Sequence, residues 1–162
     1  VGACAVGTLR FNLDTQGLDA AQAHARALLD AGEGVMVQPY LSRVETKGEL
    51  SAICFDGRIS HALQKIPLPG DYRVQDDHGA SDYPVDLEPA QRALFERVLD
   101  VAHRVAPGLG GAPLLYARID LMWDEADELC VTELELVEPS LFFRHGPDAP
   151  RLLVDALLRR IA

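Results

Sequence analysis

The chain has 162 residues, 48% of them hydrophobic, which is enough to bury a sizeable core in one domain or two small lobes. Its formal net charge of −10 argues against a general nucleic-acid binder, which would carry a basic stripe, yet a few focused Lys and Arg could still hold an anionic ligand. No apolar run approaches a membrane span, no signal peptide is read at the N-terminus, and Cys4, Cys54 and Cys130 form no CxxC pair, which fits a reducing cytoplasm.

Residues 1–8 are expected to form a small-residue loop, and Leu9–Leu13 a short strand. The Ala- and Leu-rich spacing predicts a helix over Leu18–Ala31, stopped by Gly32. Val35–Leu41 reads as a buried strand. Leu50–Phe55 and Arg58–Lys65 form a hairpin across Asp56-Gly57, a strong turn signal. Residues 66–88 hold three prolines and two glycines and read as a long, functional connector. Pro89–Val105 is an amphipathic helix with Leu94, Val98, Val101 and Val105 on one face, ended by the breaker Pro107–Gly111. Two strand-like segments follow, Leu114–Trp123 and Leu129–Pro139, then a helix over Ala149–Ile161 capped by Asp148. Helices and strands interleave, but the hairpins require antiparallel pairing, so the class is α+β.

The two late strands carry the most chemistry. Side chains alternate along a strand, so Glu133 and Glu135 point one way while Leu134 and Leu136 point the other. Asp120 sits beside them if the strands pair through the Asp124–Asp127 turn. Like charges this close disfavour joint ionisation, and an all-oxygen acidic cluster suits a hard cation such as Mg²⁺. A solvated sheet face is the alternative. Arg118 and Asp120 share a face within a run of large apolar residues, which favours a site.

Lys65, at a strand end, and Arg73, in the following loop, are candidates for phosphate contact, though each alone would read as a surface charge. The glycine-containing loop lacks the GxxxxGK[ST] pattern. No His/Cys spacing suits a transition metal, and no nucleophile elbow supports a hydrolase triad. His24 and His103 read as helix residues and His61 as a strand residue. Cys54 and Cys130 read as small core residues.

Taken in order, the Gly-containing loop, the helix, Gln38-Pro39-Tyr40-Leu41, Gly48-Glu49, Asp56-Gly57, Lys65, Arg73, Arg118-Ile119-Asp120 and Glu133-Leu134-Glu135 resemble the nucleotide-binding part of the ATP-grasp superfamily, especially the glutathione synthetase-like ligases. The resemblance covers nearly the whole chain. It implies a mainly antiparallel sheet with flanking helices in two lobes: the remainder of a small lobe over residues 1–37, and a large lobe over residues 38–162. It also implies site roles. Gln38, Pro39, Tyr40 and Leu41 would form the hinge that holds adenine. Glu49 would bond the ribose, and Lys65 and Arg73 the phosphates. Arg118 would steady the phosphorylated substrate. Asp120, Glu133 and Glu135 would carry one or two Mg²⁺ ions, and residues 1–8 would close over the phosphates.

The implied reaction joins a small-molecule carboxylate to an amine or similar nucleophile through an acyl phosphate made from ATP. There are departures. Glu135 stands where the family pattern has Asn, and no Lys-Pro strand end precedes the first loop. The 162 residues are therefore expected to be the C-terminal part of a longer enzyme, weak or inactive without its N-terminal part. Phe142, Phe143 and Arg144 are candidates for substrate contact, against core and surface roles. A homodimer is compatible with this reading, whereas nucleic acid and membrane are not expected partners. The alternative functions are a non-catalytic ATP-binding regulatory or accessory module, and an interaction domain with a solvated acidic face.

Overall fold

The computed structural model describes residues 7–106 and 112–161. Most of the residues 1–8 loop, together with Cys4 and the breaker Pro107–Gly111, lies outside the described residues. The chain divides into two compact units, Val1–Tyr40 and Leu41–Ala162.

The first unit carries helix α1, Leu13–Asp30. Asn12 caps it, its side chain accepting from the backbone N–H groups of Asp14 and Thr15 at 3.0 and 3.2 Å. Gly17 has φ 76°, so the regular turns begin at Leu18, as the spacing predicts. The strand expected over Leu9–Leu13 does not form, because Asn12 and Leu13 open the helix instead. Nor do residues 35–41 form the buried strand expected of them. Met36 and Val37 are 82% and 87% exposed. Apolar residues make a strand only where a neighbour takes up their backbone donors and acceptors, and no strand pairs with this stretch among the described residues.

The described residues of the second unit form a five-stranded sheet with three α-helices. After the short α2, Val44–Lys47, come β1 Glu49–Phe55, β2 Arg58–Ile66, β3 Ser81–Pro84, α3 Pro89–Val105, β4 Tyr116–Trp123, β5 Leu129–Glu135 and α4 Ala149–Ile161. The sheet order is β3-β2-β1-β4-β5, and every neighbouring pair is antiparallel. The expected α+β class is therefore what the chain adopts. The connector over 66–88 is not all loop, since Ser81–Pro84 pairs with β2 as an edge strand ending in proline, where a missing N–H is tolerated.

The hairpin turns on Asp56 and Gly57, both at positive φ (51° and 76°), as a two-residue turn requires. Gly48, which leads into β1, also has positive φ, and a Cβ there would lie 1.9 Å from the Lys65 carbonyl oxygen. Only glycine fits where the chain passes so close to β2.

The two faces of the sheet differ. One packs against α3: Leu50, Ala52, Cys54, Ala117, Ile119 and Leu121 meet Phe95, Leu99 and Ala102, all nearly inaccessible. The other face is apolar at one end, where Ile53, Phe55 and Leu63 pack with Phe142 and with Ala149 of α4. At its other end stand Glu49, Ser51, Lys65, Arg118 and Asp120, buried and polar.

Candidate functional site: a buried charge cluster on the sheet

Two irregularities of register assemble this cluster. In β2, Ile53 pairs with His61 but Cys54 pairs with Ile59, which leaves Ser60 unmatched. In β5, Asp120 pairs with Glu133 but Leu121 pairs with Val131, which leaves Thr132 unmatched. Each extra residue is a β-bulge, and from there on the strand presents the opposite side chains. Past Ser60, Lys65 joins Glu49, its cross-strand partner. Past Thr132, Glu133 and Glu135 join Asp120 and Arg118, their partners on β4. The Thr132 hydroxyl donates to the Asp120 carbonyl oxygen at 3.1 Å and fastens its bulge.

Asp120 is the centre. It is fully buried and accepts from Ser51 Oγ at 2.5 Å, from Lys65 Nζ at 3.3 Å and from Arg118 Nε at 2.9 and 3.2 Å. Lys65 also donates to Glu49 at 2.5 Å. Arg118 spans to Glu135 at 2.6 Å and to Glu133 at 3.4 Å. Four carboxylates thus face two cations.

That excess of negative charge favours protons on acids and base alike. Burial first, then Asp120 and Glu135, push the Glu133 carboxyl up to about 7. Burial and then Asp120 push Glu49 up to about 6, against the pull of Lys65 and Arg118. Burial works against the Lys65 and Arg118 charges, but the surrounding carboxylates outweigh it and raise both groups above their ordinary values.

One carboxylate oxygen each from Asp120, Glu133 and Glu135 lies within 4.8 Å of the others. Mg²⁺ takes oxygen ligands at about 2.0–2.1 Å, so a small inward movement would bring these donors into one coordination sphere. The donors are all hard oxygens, and the formal excess of two negative charges equals the charge of one such ion. The residues fit a divalent cation.

The other expected site residues are placed as follows. Glu49 is 4% exposed and engaged by Lys65, so the expected ribose bond would require that pair to part. Arg73 is held in its own loop by a two-pronged bond to Asp71, at 3.0 and 2.7 Å, and these bonds hold the Asp71 carboxyl well below its usual range. Gln38, Pro39 and Tyr40 are exposed and belong to the first unit, and Leu41 begins the second. His61 bonds the Leu141 carbonyl oxygen at 3.1 Å, and burial lowers its pKa. Cys54 is core, its thiol pushed up to about 12 by burial, whereas Cys130 is only half-buried.

One contributor escaped the sequence reading. Ser51 is an ordinary strand residue until β4 pairs with β1 in the register that sets it opposite Asp120. Phe142, expected as a substrate contact or a core residue, is buried, with Lys65 and Arg118 at 5.7 and 6.0 Å from its ring centroid, a neighbourhood that no spacing in the chain betrays. An acid with a small hydroxyl opposite it on a neighbouring strand is the only signal that could have found Ser51.

Solved structures share this fold. The D-alanine–D-alanine ligase of Bacillus anthracis, solved with ATP, covers 88% of this chain and 47% of its own at 11% identity, with a TM-score of 0.54. A RiPP-associated ATP-grasp ligase of Chryseobacterium gregarium, solved with ADP and leader and core peptide, covers 71% of this chain and 34% of its own at 13% identity, with a TM-score of 0.50. The fold is that of the ATP-grasp ligases. A more specific likeness is to the cycloserine biosynthesis protein DcsG of Streptomyces lavendulae, 34% identical over 144 residues that make up 87% of this chain and 47% of DcsG. The crystal structure of D-cycloserine synthetase DcsG matches 99% of this chain and 53% of its own at 28% identity, with a TM-score of 0.82. No family model matches the sequence. The chain shares the fold of these ligases, and it spans about half the length of the relatives it matches.

Proposed function

We propose that this chain is the nucleotide- and metal-binding part of an ATP-dependent ligase that joins a carboxylate to an amine or similar nucleophile through an acyl phosphate, releasing ADP and phosphate. The observation that carries the reading is the convergence of Asp120, Glu133 and Glu135 on one face of the sheet, with Lys65 and Arg118 among them. The likeness to DcsG supports it.

In this reading Asp120, Glu133 and Glu135 hold Mg²⁺, which when bound neutralises phosphate charge. Lys65 and Arg118 present donors to the phosphates and to the phosphorylated substrate, and Arg73 is a further phosphate contact. Glu49 and Ser51 hold Lys65 and Asp120 in place. Gln38, Pro39, Tyr40 and Leu41 are the proposed adenine contacts and hinge, between a small-lobe remainder over residues 1–37 and a large lobe over residues 38–162. Rate acceleration comes from positioning and charge neutralisation, without a covalent link to the enzyme. The substrates are small molecules, the remainder of the site lies in the rest of a longer protein, and the compartment is cytoplasmic.

The test is binding of Mg-ATP and release of ADP by the full-length protein with candidate carboxylates and amines. Asp120→Asn/Glu133→Gln is expected to abolish both. Unchanged ATP affinity in that variant overturns the reading. Binding without ADP release under any substrate pair supports a non-catalytic nucleotide-binding module in its place.

A further inference from the structure

Phe142 stands in an unusual place. It is only 8% exposed, and it sits at φ 43°, in the left-handed region that a bulky residue enters at a cost. Its ring has three cations around it: Arg144 at 4.8 Å from the centroid, Lys65 at 5.7 Å and Arg118 at 6.0 Å. Lys65 and Arg118 are the two bases of the buried cluster. The turn that presents the ring is anchored from outside: Arg144 and His145 both bond Asp82 on β3, and Arg144 also bonds Asp76 at 2.9 Å.

An apolar cap over buried charges would ordinarily make them harder to keep, because it removes water and gives nothing back. An aromatic face differs. Its quadrupole is negative above the ring and attracts a cation within about 6 Å, most strongly where water is excluded. Ile53, Phe55, Leu63 and Ala149 fill the apolar end of the same face around Phe142, so a leucine there would satisfy packing alone. The backbone strain at position 142 and the three surrounding cations are better matched to a ring held for its electrostatics.

We propose that Phe142 is a positioning residue whose π face holds the Lys65 ammonium and the Arg118 guanidinium against the carboxylates, in the pose in which they meet nucleotide phosphate. The phosphate clause rests on the ligase reading above; the placement of the two cations does not.

The experiment replaces Phe142 in the full-length protein with a graded series, 4-fluoro- and 3,4,5-trifluorophenylalanine, which drains the ring's negative face with little change of volume, and with Phe142→Leu as the end point. Two quantities are read: the Kd for Mg-ATP, and the hydrogen-exchange protection of the Arg118 Nε–H by NMR. Protection is expected to fall stepwise with fluorination and the Kd to rise in parallel, by about 3- to 30-fold at the leucine end point. The thermal midpoint of the fluorinated proteins is expected to stay that of the wild type. Protection that is equal across the fluorinated series overturns the proposal, whatever happens in Phe142→Leu. Protection that falls stepwise in a protein that binds no Mg-ATP retains the cation placement and sinks the ligase reading instead.

Discussion

The two faces of one sheet make opposite use of burial. On the α3 face, β1 and β4 contribute Leu50, Ala52, Ile119 and Leu121 to an apolar core around Phe95. One residue along the same strands, Ser51 and Asp120 are equally inaccessible but are satisfied only by polar partners. The first face is stabilised by area removed from water, a non-directional effect that tolerates repacking. The second depends on register and distance, because a buried charge without its partner costs several kcal/mol. The difference teaches where this molecule places stability and where it places chemistry.

The largest test of that contrast is Asp120→Ala. The side chain is fully buried and accepts from Ser51, Lys65 and Arg118, so its loss leaves two buried cations short of a partner, at a cost of about 3–5 kcal/mol. Loss of all detectable Mg-ATP binding is the expected result in calorimetry, with that destabilisation in denaturant titrations. Retained binding would mean that the polar face is not the nucleotide and metal site.

Phe95→Ala breaks the other face. The ring is wholly buried, so a loss of roughly 3–5 kcal/mol in unfolding free energy is expected. The Mg-ATP affinity of the protein that remains folded should match the wild type. A changed affinity would show that the two faces are not separable.

Asp82→Asn loosens the anchor of the turn that presents Phe142. Burial opposes the Asp82 charge, but its bonds from Arg144 and His145 outweigh it and hold the carboxyl below its ordinary value. A lowered acid stabilises the fold above its unfolded pKa of about 3.9, and the contribution is lost as pH falls through the folded value. The variant is therefore expected to be less stable than the wild type at pH 7, by on the order of 1–3 kcal/mol, as for hydrogen bonds between charged groups. The gap should close as thermal midpoints are compared below about pH 4. A gap that persists there would assign Asp82 a role other than this ion pairing.

The smallest effect is expected at Val131, on the outer part of β5 and 48% exposed. Val131→Thr should change stability by no more than about 0.5 kcal/mol. A larger loss would mark this stretch of strand as covered in the full-length protein.

Much of this was legible beforehand. Local signals carry far: the Asp56-Gly57 turn defined the hairpin, Pro89 and a 3.6-residue period defined α3, and two-residue alternation put Glu133 with Glu135. The acids, Lys65 and Arg118 were all singled out from the sequence, and all meet in the structure. Residues 9–13 and 35–41 were misread because apolar content carries no information about whether a pairing partner is present. Arg73, the proposed further phosphate contact, is paired with Asp71 two residues away, a partner within its own loop.

The sequence by itself determined which side chains alternate together and which segments turn, because those depend on neighbours a few residues apart. Only the tertiary structure decided which face each strand segment presents. Counted straight from their turns, β2 would send Lys65 toward α3, and β5 would do the same with Glu133 and Glu135. The unmatched Ser60 and Thr132 reverse both. A bulge forms where packing on both faces of a completed sheet favours it, and that balance depends on residues far apart in the chain.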